Sequence, residues 1–199
     1  MNEIDSINAN NAPAATVFPG PASQPELGVV MLDTRFPRPP GDVGHPDSWA
    51  VHVNFRIVKG VWPDKVVQSA RGLRAGRVVP GLVAVVRGLE KTGVQAITTS
   101  CGFLVLLQKE LQAAARIPVA TSSLLLLPRL LAEQPQVGVL TISAGKLGSE
   151  HLRCAGVPRE RLGDAVSEEA DAGQTGDGNH QGNQEQAEFA GTQIAAQHT

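Results

Sequence analysis

Cys101 is the residue of this chain whose type and setting are best suited to chemistry. Thr98-Thr99-Ser100-Cys101-Gly102 closes an apolar run at Val94 to Thr99, predicted to be a strand, and opens a helix predicted from about Phe103 to Ala115. A thiol at such a junction meets backbone N–H groups and the positive end of a helix dipole, and both favour thiolate. The same amides suit a carboxylate. Two more polar clusters end apolar runs: Asp33-Thr34-Arg35 after Leu27 to Leu32, and Thr121-Ser122-Ser123 after Ile117 to Ala120. In an open parallel sheet ligands bind beyond the carboxyl ends of the strands, so all three clusters are expected on one rim. The chemistry to expect there is that of an activated thiol beside donors suited to a small carboxylate, with Arg35 able to pair with the anion.

Each feature also has a plainer reading. Cysteine is among the most buried residue types, so Cys101 could be a core thiol. Cys154 lies in His151-Leu152-Arg153-Cys154-Ala155-Gly156, a predicted last helical turn without flanking hydroxyls, and reads as structural. Thr121 to Ser123 are explained as a helix cap, and a cap with spare hydroxyls can also hold an anion. Asp42, His45 and Asp47 are interrupted by Pro46 and glycine and read as a polar loop, with no second cluster to complete a metal site. His52 reads as a solvent-facing strand residue. GxGxxG, Walker, GxSxG and HExxH motifs are absent from the letters.

The elements that must position these residues follow from periodicity. Leu27 to Leu32 is nearly all apolar, the pattern of a strand buried on both faces of a parallel sheet. Phe36 to Trp49 holds Pro37, Pro39, Pro40, Gly41, Gly44 and Pro46, a long rigid loop of the kind that often carries function. Val51 to Val58 alternates, which predicts a half-buried strand with Val53, Phe55 and Ile57 inward. A helix is predicted after Pro63, and a second one carries the stripe Leu82, Val85, Val86 and Leu89, with Pro80 in its first turn and Gly93 past its end. Further strands are predicted at Ile117 to Ala120 and Val137 to Ile142. Helices are predicted from Leu124 to Glu133, kinked at Pro128, and near Lys146 to Ala155. Alternating strands and helices mean an α/β fold with a mainly parallel sheet and flanking helices.

Composition bounds the remaining classes. The 199 residues are 42% hydrophobic and 18% charged, with two Cys, which is one domain or one and a fragment and no disulfide framework. No apolar run is long enough for a transmembrane helix. The bases, scattered from Arg35 to Arg161, make no stripe that would track a phosphate backbone, so neither nucleic acid nor membrane is expected as a partner. Met1 to Ala22 lacks the pattern of a secretory signal, which places the chain in the cytoplasm with its thiols reduced. The domain reading is a disordered leader at 1–25, a first α/β domain at 26–134, the start of a second at 135–166, and a disordered acidic Gly/Gln-rich tail at 167–199.

Three segments, Gly28 to Gly44 (GVVMLDTRFPRPPGDVG), Ala96 to Phe103 (AITTSCGF) and Pro118 to Leu124 (PVATSSL), together resemble the aspartate/glutamate racemase superfamily over roughly residues 26–160. Val137 to Ile142 resembles the first strand of that family's second domain. The resemblance implies two similar α/β domains facing across a cleft, each giving one catalytic cysteine, and α-proton transfer without pyridoxal phosphate, metal or other cofactor. It makes Cys101 the first-domain catalytic thiol. Thr99, Ser100, Gly102 and Phe103 would surround it, and Asp33, Thr34, Arg35, Thr121, Ser122 and Ser123 would line the substrate pocket.

Two departures accompany this resemblance. Gly102-Phe103 stands where many racemases have Asn-Thr, and the family's second cysteine falls in a segment this chain lacks, so the chain reads as a truncated or frame-shifted member. The expected function is a cofactor-independent racemase of the aspartate/glutamate/hydantoin class, impaired by loss of its second half. The alternatives are a one-thiol decarboxylase or isomerase of small diacids, and a non-catalytic carboxylate-binding remnant. The expected partners are a small carboxylate or amino acid and, through an exposed sheet edge, a second copy of the chain in a homodimer.

Overall fold

The computed structural model describes residues 26–68, 70–75, 77–169 and 193–196. The expected leader at 1–25 lies outside the described residues, as does most of the expected tail. In chain order the elements are β1 (Glu26–Leu32), β2 (His52–Val58), α1 (Pro63–Val66), α2 (Ala70–Ala75), α3 (Val79–Glu90), β3 (Ala96–Thr99), α4 (Gln108–Gln112), β4 (Val119–Ala120), α5 (Leu127–Glu133), β5 (Val137–Thr141), α6 (Ser149–Cys154), β6 (Ala165–Glu169) and β7 (Gln193–Ala196). Short 3-10 segments at Pro46–Ser48, Gly102–Leu107, Ser123–Leu126 and Arg159–Asp164 complete the set.

The fold is α/β. Its first sheet is wholly parallel, in the order β2-β1-β3-β4, and a second sheet has the order β6-β5-β7. Within the second sheet β6 runs parallel to β5 and β7 antiparallel. The chain moves from β1 out to β2 and then back across β1 to β3, so the direction of winding reverses between β1 and β3. Crevices for ligands open at such reversals.

The core grows from the apolar runs. Gly28 to Leu32 are buried along β1, as a strand covered on both faces should be. Leu82, Val86 and Leu89 of α3 are fully buried, while Val85 is only partly so and packs at the margin. Pro80 sits in the first turn of α3, where its missing N–H is harmless. Gly93 leaves that helix at φ 90°, a left-handed turn that a side chain would strain. A Cβ on Gly28 would stand 3.2 Å from Ile97, Leu89 and Val94, so the absent side chain lets α3 approach the sheet closely. One hydrophobic cluster continues from these residues through Phe103 to Leu107 and on to Val137, Val139, Leu147 and Leu152.

Several local expectations are corrected. The alternation in β2 does not mark a buried face: Ile57 is 46% exposed and only Val58 is buried, because β2 is an edge strand. The helix predicted from Phe103 is a 3-10 segment followed by the five-residue α4. All five side chains from Phe103 to Leu107 are buried, leaving no polar face for a surface helix to present. Pro128 does not kink a helix but opens one, in the first turn of α5.

The expected disordered tail is corrected where it is described. Ser167 to Glu169 belong to β6, in register with Val139 to Thr141, and Gln193–Ala196 pairs with β5. Backbone pairing to β5 holds both segments in the sheet. No helix among the described residues is long and apolar enough to cross a membrane.

Candidate functional site

The site is built where β3 and β4 end. Ser100 leaves β3 with its N–H donating to the Val30 carbonyl at 2.9 Å, and its Oγ accepts from Leu32 N at 3.3 Å, so it is locked to the end of β1. Thr99 ties β3 to the chain beyond β4, its hydroxyl donating to the Thr121 carbonyl at 2.8 Å. The same oxygen accepts from Cys101 N at 3.4 Å and lies 3.1 Å from the Cys101 carbonyl. Cys101 thus turns out of the strand on a hydroxyl pivot, and its carbonyl accepts from Leu104 N to start the 3-10 turn.

The end of β4 is held by two glutamines one helical turn apart on α4. Gln108 Oε1 accepts from Thr121 N at 2.9 Å and from Thr121 Oγ1 at 2.6 Å, while its Nε2 donates to Val119 O at 2.6 Å. Gln112 Oε1 accepts from Val119 N at 2.9 Å and its Nε2 donates to Ile117 O at 3.0 Å. A strand of two residues cannot hold its own register. The i, i+4 spacing sets two amides side by side along the free side of β4, where they act in place of a neighbouring strand. Ser122 then caps the next 3-10 segment, its Oγ accepting from Leu124 N at 3.1 Å.

Over this rim lies the proline-rich loop. Arg38 donates to Asp42 Oδ1 at 2.8 Å and to Thr34 Oγ1 at 2.7 Å, and its guanidinium sits 4.5 Å from the Phe36 ring centroid. Asp42 Oδ1 also accepts from Gly44 N at 2.6 Å, Ser48 Oγ accepts from Gly41 N at 2.8 Å, and Trp49 Nε1 donates to the Val43 carbonyl at 3.0 Å. These local bonds replace the secondary structure that prolines forbid. They hold Val43 and Trp49 against the strand ends, where a cavity of about 380 Å³ is lined by Val43, Trp49, Thr98, Thr99, Ser100, Gly102, Ala120, Ser122, Ser123, Leu125 and Leu126.

Of the residues expected at the site, Thr99, Ser100, Gly102, Ser122 and Ser123 come together on this cavity. Cys101 lies between two of them in the chain but is 3% exposed, belongs to the hydrophobic cluster and is not among the lining residues, so the rim thiol expected from the sequence is corrected to a core thiol. The helix-dipole expectation is corrected as well, because Cys101 precedes a six-residue 3-10 segment and not a long helix.

The remaining expected residues are placed elsewhere and make structural contacts. Asp33 Oδ2 accepts from Gly60 N at 2.8 Å, Thr34 accepts from Arg38, and the Arg35 guanidinium lies 5.4 Å from the Trp62 ring centroid. Phe103 meets the His151 ring edge-on at 4.9 Å inside the core, and the Thr121 hydroxyl is spent on Gln108. None of the five is among the lining residues. The sequence reading missed Val43, Trp49, Leu125 and Leu126 as walls and Gln108 as a support. The polar-apolar alternation Gln108, Leu111, Gln112 was the available signal for the glutamines.

The second cysteine has different surroundings. Cys154 ends α6, partly exposed, and burial pushes its thiol up from the ordinary range; Arg74 opposes this while Glu150 and Glu110 reinforce it. One turn earlier His151 is buried, its Nδ1 accepting from Gly148 N at 3.2 Å and its Nε2 without a hydrogen-bond partner among the described residues. Burial holds the His151 imidazole below its usual pKa, which favours its neutral form. No group of three or more His, Cys, Asp and Glu among the described residues is arranged to hold a metal ion. His45 Nδ1 and Asp47 Oδ2 stand 4.0 Å apart while Asp42 is engaged by Arg38.

No family model matches the chain. It is similar to curated proteins named dimethylsulfoniopropionate lyase. One from Durusdinium sp. clade D is 35% identical over 129 residues, 63% of this chain and 42% of that protein. Dimethylsulfoniopropionate lyase 3 of Emiliania huxleyi (strain CCMP1516) is 33% identical over 129 residues, covering 33% of its length. Lyase 6 of the same organism is 34% identical over 110 residues, covering 28% of its length. The matched stretch therefore spans less than half of each of these relatives. These similarities overturn the racemase resemblance and the racemase function that came with it, and they point to a lyase where the enzymatic alternative named a decarboxylase or isomerase. The physical reason is that Thr-Thr-Ser-Cys-Gly after a strand encodes where a thiol stands, not which bond of a substrate breaks. Substrate choice lies in the cavity walls, which the short motif does not contain.

Proposed function

We propose that residues 26–169 carry part of a lyase site that cleaves dimethylsulfoniopropionate, or a close zwitterionic analogue, into acrylate and dimethyl sulfide. The observation that supports this reading most is the 35% identity to a protein of that name over 129 residues. The chemistry of the cavity is consistent with it. A 3-sulfoniopropionate has an acidic C–H beside its carboxylate and a neutral leaving group one carbon further on. The Cys101 thiolate takes the α-proton, the released electron pair forms the Cα–Cβ double bond, and the Cβ–S bond breaks with its electrons on sulfur. The products are acrylate, dimethyl sulfide and a protonated thiol, which must lose its proton before the next turnover.

In this reading the Ser100 and Ser122 hydroxyls, which accept from Leu32 N and Leu124 N, each keep an O–H to give to the substrate carboxylate. Ser123 and Gly102 complete that wall. Thr99, Thr121 and Gln108 are positioning residues that fix the two strand ends to one another. Cys101 is 3% exposed and is not among the lining residues, so this reading requires that substrate entry open a path from the cavity to its sulfur.

The test is direct. The purified 199-residue protein, incubated with dimethylsulfoniopropionate, should release dimethyl sulfide, read by headspace gas chromatography, and acrylate, read by proton NMR, in equal amounts. Release no greater than that of the Cys101→Ala variant would overturn the proposal.

A further inference from the structure

A 3-sulfoniopropionate has two ends of opposite charge, and the cavity must tell them apart. None of its lining residues is Asp, Glu, Lys or Arg, so a cation there meets no carboxylate. Trp49 is the one aromatic residue among them. A sulfonium, like a quaternary ammonium, has no N–H to donate and is weakly hydrated, so the electron-rich face of an indole is its best neutral partner.

The position of that indole is built before any ligand arrives. Its Nε1 donates to the Val43 carbonyl at 3.0 Å, its own backbone N–H donates to Pro46 O at 3.2 Å, and the preceding Ser48 is bonded to Gly41. Val43, Leu125 and Leu126 also line the cavity and add apolar surface suited to methyl groups. The serine hydroxyls belong to the strand-end side of the cavity. The lining therefore combines Val43 and Trp49 from the loop, Leu125 and Leu126 from the 3-10 segment after β4, and hydroxyls from the strand ends, which is the mix of apolar and polar surface a small onium carboxylate requires.

We infer that Trp49 is the specificity-determining residue that takes the onium end of the substrate, and that the site selects short carboxylates carrying a permanently charged, methylated sulfonium or ammonium over neutral molecules of the same shape. This rests on the lyase reading and deepens it.

Binding can be measured apart from turnover with 3-(trimethylammonio)propionate, whose amine leaves far less readily than a sulfide, and its neutral isostere 4,4-dimethylpentanoate. By isothermal titration calorimetry on the full chain the onium is expected to bind about tenfold more tightly than the isostere. Trp49→Leu should bring the two within about twofold, chiefly by weakening the onium, and Trp49→Phe should keep about a threefold preference. Circular dichroism and the thermal midpoint show whether each variant is folded, and if Trp49→Leu is not, the Trp49→Phe and wild-type ratios decide. Equal affinities in the wild type, or a tenfold preference that survives in the folded variants, would overturn the inference and leave the lyase reading standing. Intact Trp49-dependent preference without dimethyl sulfide release would sink the lyase reading alone. Failure of both probes to bind, together with absent release, would defeat both.

Discussion

The two cysteines lie in regions that differ in everything but residue type. Cys101 leaves a central strand, pivots on the Thr99 hydroxyl, and has cavity-lining neighbours on both sides. Cys154 ends α6 among charges, with Arg74 reaching Glu110 and Glu150 at 3.6 Å each, and with burial raising its thiol pKa. The proposed role of Cys101 therefore rests on the backbone and hydroxyls around it, since solvent exposure alone would favour Cys154. Cys101 is buried in the hydrophobic cluster with cavity-lining Ser100 and Gly102 on either side of it in the chain, whereas Cys154 stands among ion pairs already matched to one another.

The largest effect should come from exchanging the roles. Cys101→Ala is expected to lower dimethyl sulfide release by about a thousandfold or more, and Cys154→Ala to change it by less than about twofold. Comparable losses in both would erase the distinction.

A smaller effect sharpens it by loosening the support of the first region. Gln108→Ala removes three hydrogen bonds from the end of β4 and should cost about 2 kcal/mol in urea unfolding, with Gln112→Ala, which removes two, costing less. An unchanged midpoint would mean that the strand end is held by packing alone.

The smallest effect belongs to the second region. His151 is held below its usual pKa in the fold, so as pH falls through about 6.5 the unfolded chain takes up the proton first and the native state loses stability. The loss should approach at most about 1.4 kcal/mol per pH unit, and His151→Gln should flatten it. Denaturation midpoints at pH 7.5 and 5.5 check this, and a wild-type midpoint independent of pH would contradict it.

What could be read in the letters follows a physical division. Runs such as Gly28 to Leu32 and the stripe of Leu82, Val86 and Leu89 announce their elements because burial acts on side chains one at a time, and they sufficed for an α/β fold with a parallel sheet. β2 misled because alternation looks the same in an edge strand, where one side has no neighbour to bury it. β6 and β7 were missed because ladder bonds between backbones leave little trace in residue type. Within the site, the hydroxyls after β3 and β4 were legible from their place at strand ends. Trp49 was not, because what brings it to the cavity is a set of staples inside a proline-rich loop, centred on Arg38, Asp42 and Ser48, that no periodicity records. The reaction was likewise beyond a thiol motif, and the lyase proposal rests on similarity to the curated relatives.

The glutamine pair on α4 has one more consequence. With Val119 N, Val119 O and Thr121 N already answered by side-chain amides, the β4 margin offers an incoming strand almost nothing to bind. The opposite margin, β2, runs for seven residues with Ile57 bare beside it. Any extension of this sheet, whether by a neighbouring molecule or in an aggregate, is therefore one-sided: it begins at β2, and the β4 margin beside the cavity is insulated from it.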